Sequence, residues 1–343
     1  MKFLKILGAV AGTLCGLLLV AVLIALWVYR DIPRAELEAR YTNDASRFMN
    51  VAGARIHYRD EGPRDAPAVL LIHANFASLL GWEPWVEALK DEYRVVRFDM
   101  TSHGLTGPDP TGDYTLERTL ELTEKFIDAV GLDNFTIGGT SLGGTMSILY
   151  TAKYPERIDN IILLSPGSLE GKERTDSGRG EVPDAAYVLK YIMPRALPEF
   201  MLTSGFSDDS KLTPELVDQW YELWRLEGQR EAQLDRLKYY DSGDIEAIFR
   251  SISRPVLLLW GEDNQTAVFE QHKEVIHLLE NSPSINFFSY PGVGHMAVQE
   301  AGDVIATDVR RFLDGDRQAG LIDREDFAEP HSDNGHSTEE HSS

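Results

Sequence analysis

The sequence predicts an α/β protein in which a mostly parallel central sheet carries helices on both faces. From Ser46 onward, short β-branched runs alternate with longer segments of helical periodicity. Several of the short runs are apolar throughout, which is typical of strands that are buried on both faces. This alternation predicts parallel strands joined by crossover helices. The 343 residues are 43% hydrophobic, which suffices for one large core or two modest ones.

The first element is an apolar run from Ile6 to Val28 that contains no charged residue. At about 1.5 Å per helical residue, its roughly 23 residues extend about 35 Å, enough to cross the hydrocarbon core of a membrane. Trp27 and Tyr29 lie at its end, where aromatic side chains anchor helices at the membrane interface. We therefore expect residues 1–30 to be a membrane anchor and residues 31–45 to be a linker.

The orientation of this anchor follows from the charges beside it. Lys2, Lys5 and the amino terminus precede the run, whereas nearby acids offset the arginines that follow it. The positive-inside rule favours a cytosolic amino terminus, so we expect a single-pass inner or plasma membrane protein whose folded body lies on the exported side. A cleaved signal peptide is the alternative, but the run is long and residues 25–29 offer no small-x-small cleavage site.

The folded part is predicted from strands and helices in regular order. The predicted strands are Ala54 to Arg59, Ala68 to His73, Tyr93 to Phe98, Phe135 to Gly139, Ile158 to Leu164, Pro255 to Trp260 and Ile285 to Tyr290. The predicted helices are Trp82 to Leu89, Leu116 to Val130, Leu142 to Tyr154, Phe269 to Leu279 and Val304 to Leu313. We expect residues 46–165 and 250–313 to be the two parts of one core.

An interval without a convincing strand interrupts this order between Pro166 and Phe249. It holds the helical stretches Ala185 to Ile192, Pro214 to Leu226 and Arg230 to Tyr239. We expect residues 166–249 to be a helical insertion. Its apolar side chains either pack the insertion on the core, or line a substrate passage or dip into the membrane; they are Met193, Leu197, Phe200, Met201 and Leu202.

The last segment, residues 314–343, is expected to be a disordered acidic tail. It carries nine acids against two arginines and few apolar residues, a composition that cannot bury a core. Its histidines, His331, His336 and His341, allow loose metal binding, but a solvated spacer is the favoured interpretation.

Charge and cysteine content exclude several classes of function. Acidic residues outnumber basic residues 55 to 33, giving a net charge of -22, which repels polyanions, so no nucleic-acid partner is expected. The single cysteine, Cys15, lies in the apolar amino-terminal run. The folded part therefore offers no cysteine for a disulfide, a zinc site or a nucleophile, and we predict neither a metal nor a cofactor.

The pentapeptide Gly139-Thr140-Ser141-Leu142-Gly143 has the pattern of a nucleophile elbow. In such an elbow a strand turns sharply into a helix and presents the serine hydroxyl at the carboxyl edge of the sheet. The flanking glycines are needed because backbone and helix crowd together there. A predicted strand precedes the pentapeptide and a predicted helix follows it, so Ser141 is the candidate nucleophile.

A serine hydroxyl has a very high pKa and needs a neighbouring base, which in turn needs a group that fixes its tautomer. In elbow proteins these partners follow in the order serine, acid, histidine. His295 lies in the glycine-rich loop Pro291-Gly292-Val293-Gly294-His295, directly after a predicted strand. We predict that His295 is the base.

Several further strings occur in the order found in one known superfamily. They are Leu70-Leu71-Ile72-His73-Ala74-Asn75-Phe76, Trp82-Glu83-Pro84-Trp85, Phe98-Asp99-Met100, Ser102-His103-Gly104-Leu105-Thr106-Gly107 and Leu259-Trp260-Gly261-Glu262. From about Ser46 to Leu313 the chain resembles the α/β hydrolases, and with its anchor it resembles their small membrane-anchored bacterial members. The resemblance implies the α/β-hydrolase fold and identifies residues 166–249 as the lid.

The resemblance also implies an oxyanion hole made of two backbone N–H groups, those of Leu142 and Asn75. The superfamily has glycine where this chain has Ala74, and alanine is a poor substitute if that position requires a positive φ. His73 and His103 belong to structural signatures of the superfamily and are assigned no proton transfer.

The acid of the triad has three candidates. The resemblance places it three residues after Gly261, where this chain has Asn264, whose carbonyl oxygen can orient a histidine but carries no full charge. Asp263, one residue earlier, is the preferred acid if the loop is shifted by one position. Glu170, after the strand that ends at Leu164, is the third candidate.

These residues predict a serine hydrolase that cleaves carboxylic esters through an acyl-enzyme. The substrate is expected to be a small-molecule ester, and the membrane anchor makes a lipid-like ester one candidate. Ser141 argues against epoxide and halide chemistry, because those relatives use aspartate at the elbow. A carbon–carbon bond hydrolase and a cofactor-free haloperoxidase remain alternatives. Asn264 and Ala74 also allow a hydrolase-like binding protein that has lost its chemistry.

Overall fold

An eight-stranded sheet runs through the centre of the protein, in the order β1-β2-β4-β3-β5-β6-β7-β8. The computed structural model describes residues 2–167, 182–323 and 327. The strands are β1 (Ser46–Val51), β2 (Ala54–Glu61), β3 (Ala68–Ile72), β4 (Arg94–Phe98), β5 (Phe135–Ser141), β6 (Ile158–Pro166), β7 (Val256–Gly261) and β8 (Ile285–Tyr290). β2 pairs antiparallel with β1 and β4, and all other pairs are parallel. The predicted fold class is therefore confirmed.

Helices cover both faces of this sheet. They are α1 (Lys2–Val28), α2 (Arg34–Tyr41), α3 (Glu83–Leu89), α4 (Leu116–Val130), α5 (Leu142–Lys153), α6 (Ala196–Gly205), α7 (Pro214–Trp224), α8 (Gln229–Lys238), α9 (Ile245–Arg250), α10 (Gln271–Leu278) and α11 (Ala297–Leu313). Successive strand residues alternate between two cores. In β3, Val69 and Leu71 face α3 and α11, whereas Leu70 and Ile72 face the side of α4 and α5. This explains why the strand is apolar throughout.

Several elements differ from the sequence prediction. The helices α2, α6 and α9 are not predicted, and the predicted helix Ala185 to Ile192 is a 3₁₀ helix at Asp184–Lys190. β1 is not predicted, because its residues are only partly buried and polar ones interrupt it. α11 begins at Ala297 rather than at Val304, with a kink at Ala301. The first turns of α11 follow directly on the loop that carries His295, so this difference bears on the site.

The described residues between β6 and β7 form helices and short 3₁₀ segments and no strand. We call residues 182–250 the cap. Met193 and Leu202 of the cap are buried together with Ala74, Ala77 and Met296, which belong to the loops after β3 and β8. Phe200, by contrast, is 70% exposed. The cap therefore packs over the carboxyl ends of the parallel strands.

The amino-terminal helix stands apart from the sheet. Among the described residues, Lys5–Val28 is the helix that is long and apolar enough to cross a membrane, by its length and composition. The chain after it is fixed to the cap, because the Ile32 N–H donates to the carbonyl of Arg225 (2.7 Å). The guanidinium of Arg225 donates to the carbonyls of Val28 and Arg30. The end of this helix is thus bonded to the cap.

Ordered chain continues past Leu313, where the acidic tail is predicted to follow. The Phe287 N–H of β8 donates to the carbonyl of Gly320 (2.8 Å), and the Ile322 N–H donates to the carbonyl of Ile285 (3.1 Å). Residues 317–322 therefore lie along the outer edge of β8. Most of the remaining tail, including its three histidines, lies outside the described residues.

Candidate active site

The chain turns from β5 into α5 at Ser141, which has φ +49° and ψ -120°. This backbone conformation is strained for a residue other than glycine and is typical of functional sites. A Cβ atom on Gly139 would lie 2.2 Å from the carbonyl carbon of Gly143, and one on Gly143 would lie 2.0 Å from the carbonyl oxygen of Ile72. Glycines on either side of Ser141 therefore permit this turn, which has the geometry of a nucleophile elbow.

The loop after β3 holds the second predicted oxyanion donor. Ala74 has a negative φ, and the residue in the left-handed region is Phe76, with φ +63°. The Phe76 N–H donates to His103 Nε2 at 2.9 Å, whereas the Asn75 N–H has no acceptor among the described residues. Alanine in place of the expected glycine is thus accommodated without strain, and the Asn75 N–H is free to bind an anion.

His73 and His103 are both held by backbone groups. His73 Nε2 accepts from the Met100 N–H (3.0 Å), and its Nδ1 donates to the Ala74 carbonyl (2.7 Å). His103 Nδ1 donates to the Thr101 carbonyl at 3.0 Å. Burial lowers the pKa of both histidines. These bonds, together with the Phe76 N–H bond to His103 Nε2, occupy both ring nitrogens of each histidine.

His295 lies between β8 and α11, at the same edge of the sheet as the elbow. A cavity of about 20 Å³, room for about one water molecule, is lined by residues that include His73, Thr140 and His295. Burial lowers the pKa of His295 to about 4, so its ring is neutral at physiological pH. Thr140 directly precedes Ser141, so His295 and the elbow lie at the same edge of the sheet, although Ser141 is not among the residues that line this cavity.

The structure does not bring the preferred acid, Asp263, to His295. Asp263 is exposed, and its Oδ2 accepts from the Ser207 hydroxyl at 2.6 Å. Asn264 is 2% exposed, and its Nδ2 lies 3.1 Å from His295 Nδ1. The Asp263 N–H is bonded to the Val293 carbonyl (3.0 Å), and Asn264 rather than Asp263 is buried beside His295. Glu170 lies outside the described residues.

The end of the Asn264 amide that faces His295 also differs from the expectation. The carbonyl oxygen of Asn264 was expected to face the histidine, but it accepts from the N–H groups of Thr266 (3.0 Å) and Ala267 (2.9 Å). The amide nitrogen therefore faces His295. Two backbone N–H groups hold this orientation, and such backbone contacts cannot be predicted from a sequence pattern.

Glu300 is a site residue that the sequence analysis missed. One of its carboxylate oxygens accepts from the Gly294 N–H (2.6 Å), and the other accepts from the N–H groups of Ser207 and Asp208 (2.8 Å each). Glu300 is 6% exposed. A buried carboxylate thus ties the cap to the loop that carries His295, although no short motif marks it.

The cap covers the elbow side of the site through a few direct bonds. Trp224 Nε1 donates to the carbonyl of Phe76 at 2.8 Å, and the Met296 N–H donates to the carbonyl of Gly205 at 2.9 Å. Both oxyanion and histidine loops are therefore positioned by cap residues. Among the residues that the structure describes, no three His, Cys, Asp or Glu side chains are grouped to hold a metal ion.

The chain is similar to known proteins along most of its length. A profile of the family described as alpha/beta hydrolase fold matches residues 67–203. The cis-3-alkyl-4-alkyloxetan-2-one decarboxylase of Shewanella oneidensis is 25% identical over 287 residues, which cover 78% of this chain and 87% of that protein. The bifunctional esterase/perhydrolase of Acinetobacter calcoaceticus is 26% identical over 271 residues, which cover 76% of this chain and 96% of that protein.

A solved structure of a membrane phospholipase A, described as a bacterial virulence factor, has a TM-score of 0.64 at 20% identity and covers 93% of this chain and 100% of that chain. Together with the sheet order and the elbow, these similarities define an α/β-hydrolase fold. Residues 67–203 match the model of the α/β-hydrolase family, and the sheet has that family's fold; the similarity to an esterase supports a hydrolase of this fold.

Proposed function

We propose that this protein hydrolyses carboxylic esters through an acyl-enzyme formed on Ser141. The observation that carries the proposal is the strained turn at Ser141, which places a serine at the end of β5 and at the start of α5. A strained conformation persists only where its surroundings over-determine it, and the close packing at Gly139 and Gly143 leaves no room for a Cβ atom at either position. The esterase named among the relatives supports the same reaction class.

In this reaction Ser141 Oγ attacks the ester carbonyl while His295, in the tautomer that has its lone pair on Nε2, takes the hydroxyl proton. The N–H groups of Leu142 and Asn75 stabilise the oxyanion, an effect of roughly 3 kcal/mol for each donor. His295 returns the proton to the departing alcohol, and water then cleaves the acyl-enzyme by the same steps in reverse. No cofactor enters this sequence.

A hydrolase-like binding protein without turnover is the second candidate. It is favoured by Asn264, because an amide in place of the acid cannot stabilise the imidazolium that forms when Ser141 loses its proton. In the serine-protease triad the corresponding Asp-to-Asn change lowers kcat by about 10⁴. A carbon–carbon bond hydrolase and a cofactor-free haloperoxidase remain alternatives that share the serine nucleophile.

Hydrolysis of a chromogenic ester series of graded acyl length by the full-length protein in detergent micelles tests the proposal. We expect slow hydrolysis of at least one ester, together with covalent labelling of Ser141 by a fluorophosphonate probe, detected by peptide mass spectrometry. A folded protein that is never labelled at Ser141 would contradict the ester hydrolase and favour the binding protein. Labelling without ester turnover, combined with cleavage of vinylogous diketones, would instead favour the carbon–carbon hydrolase.

We also propose that Lys5–Val28 retains the protein in a membrane, with its folded body on the exported side. The bonds from Arg225 to the carbonyls of Val28 and Arg30 fix the cap beside the end of the helix, and the orientation rests on the positive-inside rule. An ion pair between Arg230 and Asp31 adds a further connection (2.6 Å). A cap held at a membrane surface makes a lipid-like ester a natural substrate, although location alone selects no substrate.

Expression in a bacterial host tests the anchor. We expect the chain to keep its full mass, to stay in the membrane fraction after an alkaline carbonate wash, and to be digested by protease added outside intact spheroplasts. A cytosolic marker protein that survives the protease is the control for intact membranes. A soluble chain that lacks its first 30 or so residues would show a cleaved signal peptide, and full protection would reverse the proposed orientation.

A further inference from the structure

The buried contact between Asn264 and His295 is the feature of the site that the proposed reaction does not use. Asn264 follows β7 and is 2% exposed, and its amide nitrogen lies 3.1 Å from His295 Nδ1. An amide NH₂ group is a donor and has no acceptor capacity. The ring nitrogen that receives this hydrogen bond must therefore carry a lone pair.

The orientation of the Asn264 amide is fixed by the backbone around it. Its Oδ1 accepts two hydrogen bonds, from the N–H groups of Thr266 (3.0 Å) and Ala267 (2.9 Å). A flipped amide would place its own N–H groups against these two donors and would leave buried groups unpaired, which is costly. The two backbone bonds thus oblige the amide nitrogen to face the histidine.

The consequence concerns the tautomer of the histidine. A neutral imidazole has one N–H and one lone pair, so a ring that accepts at Nδ1 carries its proton on Nε2. A ring that is already protonated at Nε2 cannot take the hydroxyl proton of Ser141 at that atom. We propose that Asn264 is a positioning residue that holds His295 in the Nε2–H tautomer and so keeps Ser141 weakly nucleophilic in the resting protein.

The neighbouring acidic and histidine side chains that the structure describes are bonded to other groups, so they do not replace Asn264 as the partner of His295 Nδ1. Asp263 is bonded to the Ser207 hydroxyl, and both carboxylate oxygens of Glu300 accept backbone N–H groups. His73 has both of its ring nitrogens bonded to backbone groups. Burial lowers the pKa of His295 to about 4, so the ring is neutral at pH 7 and its tautomer decides its role.

The inference rests on the proposed function and predicts what a carboxylate at position 264 would do. In Asn264→Asp, one oxygen keeps the two backbone bonds and the other accepts a proton from His295 Nδ1. Nε2 then holds the lone pair and takes the Ser141 proton as Oγ bonds to the phosphorus of a fluorophosphonate and fluoride leaves. The net reaction forms a serine phosphonate ester and releases hydrogen fluoride.

The test compares wild type, Asn264→Asp and Asn134→Asp as full-length proteins in detergent micelles. Asn134 is an exposed residue at the far end of β5, and its substitution makes the same change of charge away from the site. We expect Asn264→Asp to raise the second-order rate of Ser141 labelling at pH 7 by between about 10-fold and 10⁴-fold, and Asn134→Asp to leave it unchanged.

A carboxylate beside the ring also favours the imidazolium, which raises the pKa of His295. The lower inflection of the labelling rate should therefore move upward by about one to three pH units in Asn264→Asp, and activity should be lost at a higher pH than in wild type. Proteins labelled with ¹⁵N-histidine report the tautomer directly by NMR, with His295→Gln to assign the signal. We expect Nε2–H in wild type and Nδ1–H in Asn264→Asp.

An Nδ1–H tautomer in wild type, or equal labelling rates in wild type and Asn264→Asp, would overturn the inference while the serine hydrolase stands. Absence of Ser141 labelling in all folded variants would instead overturn the proposed function. In that case the NMR measurement on wild type still decides whether Asn264 fixes the tautomer.

A further comparison separates the two neighbouring residues. Asp263→Asn should change the labelling rate by less than about threefold, and a fall of several orders of magnitude would identify Asp263 as the orienting acid.

Discussion

Replacing Ser141 with alanine is expected to abolish fluorophosphonate labelling and to lower ester hydrolysis by the full-length protein by about 10²-fold. Removal of a serine nucleophile from a complete triad costs about 10⁶-fold in kcat, whereas removal of the acid alone costs about 10⁴-fold. A chain with asparagine in the acid's place therefore has roughly 10²-fold left to lose. In an Asn264→Asp background the same substitution should cost about 10⁶-fold, because nucleophile, base and acid then act as a unit.

The control for this prediction is another serine with a similar backbone. Ser165 is the penultimate residue of the neighbouring strand β6, has φ +42°, is fully buried, and has a hydroxyl without a hydrogen-bond partner among the described residues. Ser165→Ala should leave labelling within about twofold of wild type. Thermal unfolding of both variants checks that folding is preserved. Labelling of Ser141→Ala at the wild-type rate would reveal a different nucleophile and contradict the proposed mechanism.

The elbow is predictable from the sequence because local spacing determines its geometry. The crowded turn requires residues without a Cβ atom two positions before and after Ser141. The close contacts that a Cβ on Gly139 or Gly143 would make show this requirement directly. The presence of buried parallel strands is predictable in a similar way, from runs that are apolar throughout. Motifs whose physical cause lies within a few residues of sequence can be interpreted without coordinates.

The features that the sequence did not reveal depend on contacts between distant segments or on backbone groups. Glu300 accepts hydrogen bonds from the backbone N–H groups of Ser207 and Asp208, which are 93 and 92 residues away. No sequence pattern predicts such a long-range contact. Phe76, rather than Ala74, takes the positive φ, because its N–H reaches His103. Ala74 has a negative φ, so alanine is compatible with the backbone at the position that glycine occupies in the superfamily.

The orientation of the Asn264 side chain is also not predictable from the sequence, because backbone groups determine it. Its position three residues after Gly261 is visible in the sequence, and it marks the acid's place by resemblance. Which end of its amide faces His295 is decided by the N–H groups of Thr266 and Ala267. The sequence therefore suggests a weakened triad, whereas the structure shows that the amide nitrogen of Asn264 faces the histidine.

Replacing Gly143 with alanine is expected to lower the free energy of unfolding by about 3 kcal/mol or more, or to prevent folding. Alanine gains at most about 1 kcal/mol over glycine in helix propensity, so an open position in α5 would be stabilised by the change. At Gly143, however, the new Cβ would lie 2.0 Å from the carbonyl oxygen of Ile72. That carbonyl cannot retreat easily, because Ile72 is paired with Gly139 in the centre of the sheet.

Gly144 provides the matched control one residue along the same helix. A Cβ there would lie 3.0 Å from Cβ of Pro166, a tight contact that a small shift relieves, so the loss and the gain in propensity should cancel to within about 1 kcal/mol. Thermal unfolding of full-length wild type, Gly143→Ala and Gly144→Ala, followed by tryptophan fluorescence, measures the difference. Because the turn at Ser141 exists only while α5 packs this closely on β3, a Gly143→Ala protein as stable and as readily labelled as wild type would show that the strained elbow is not what positions the nucleophile.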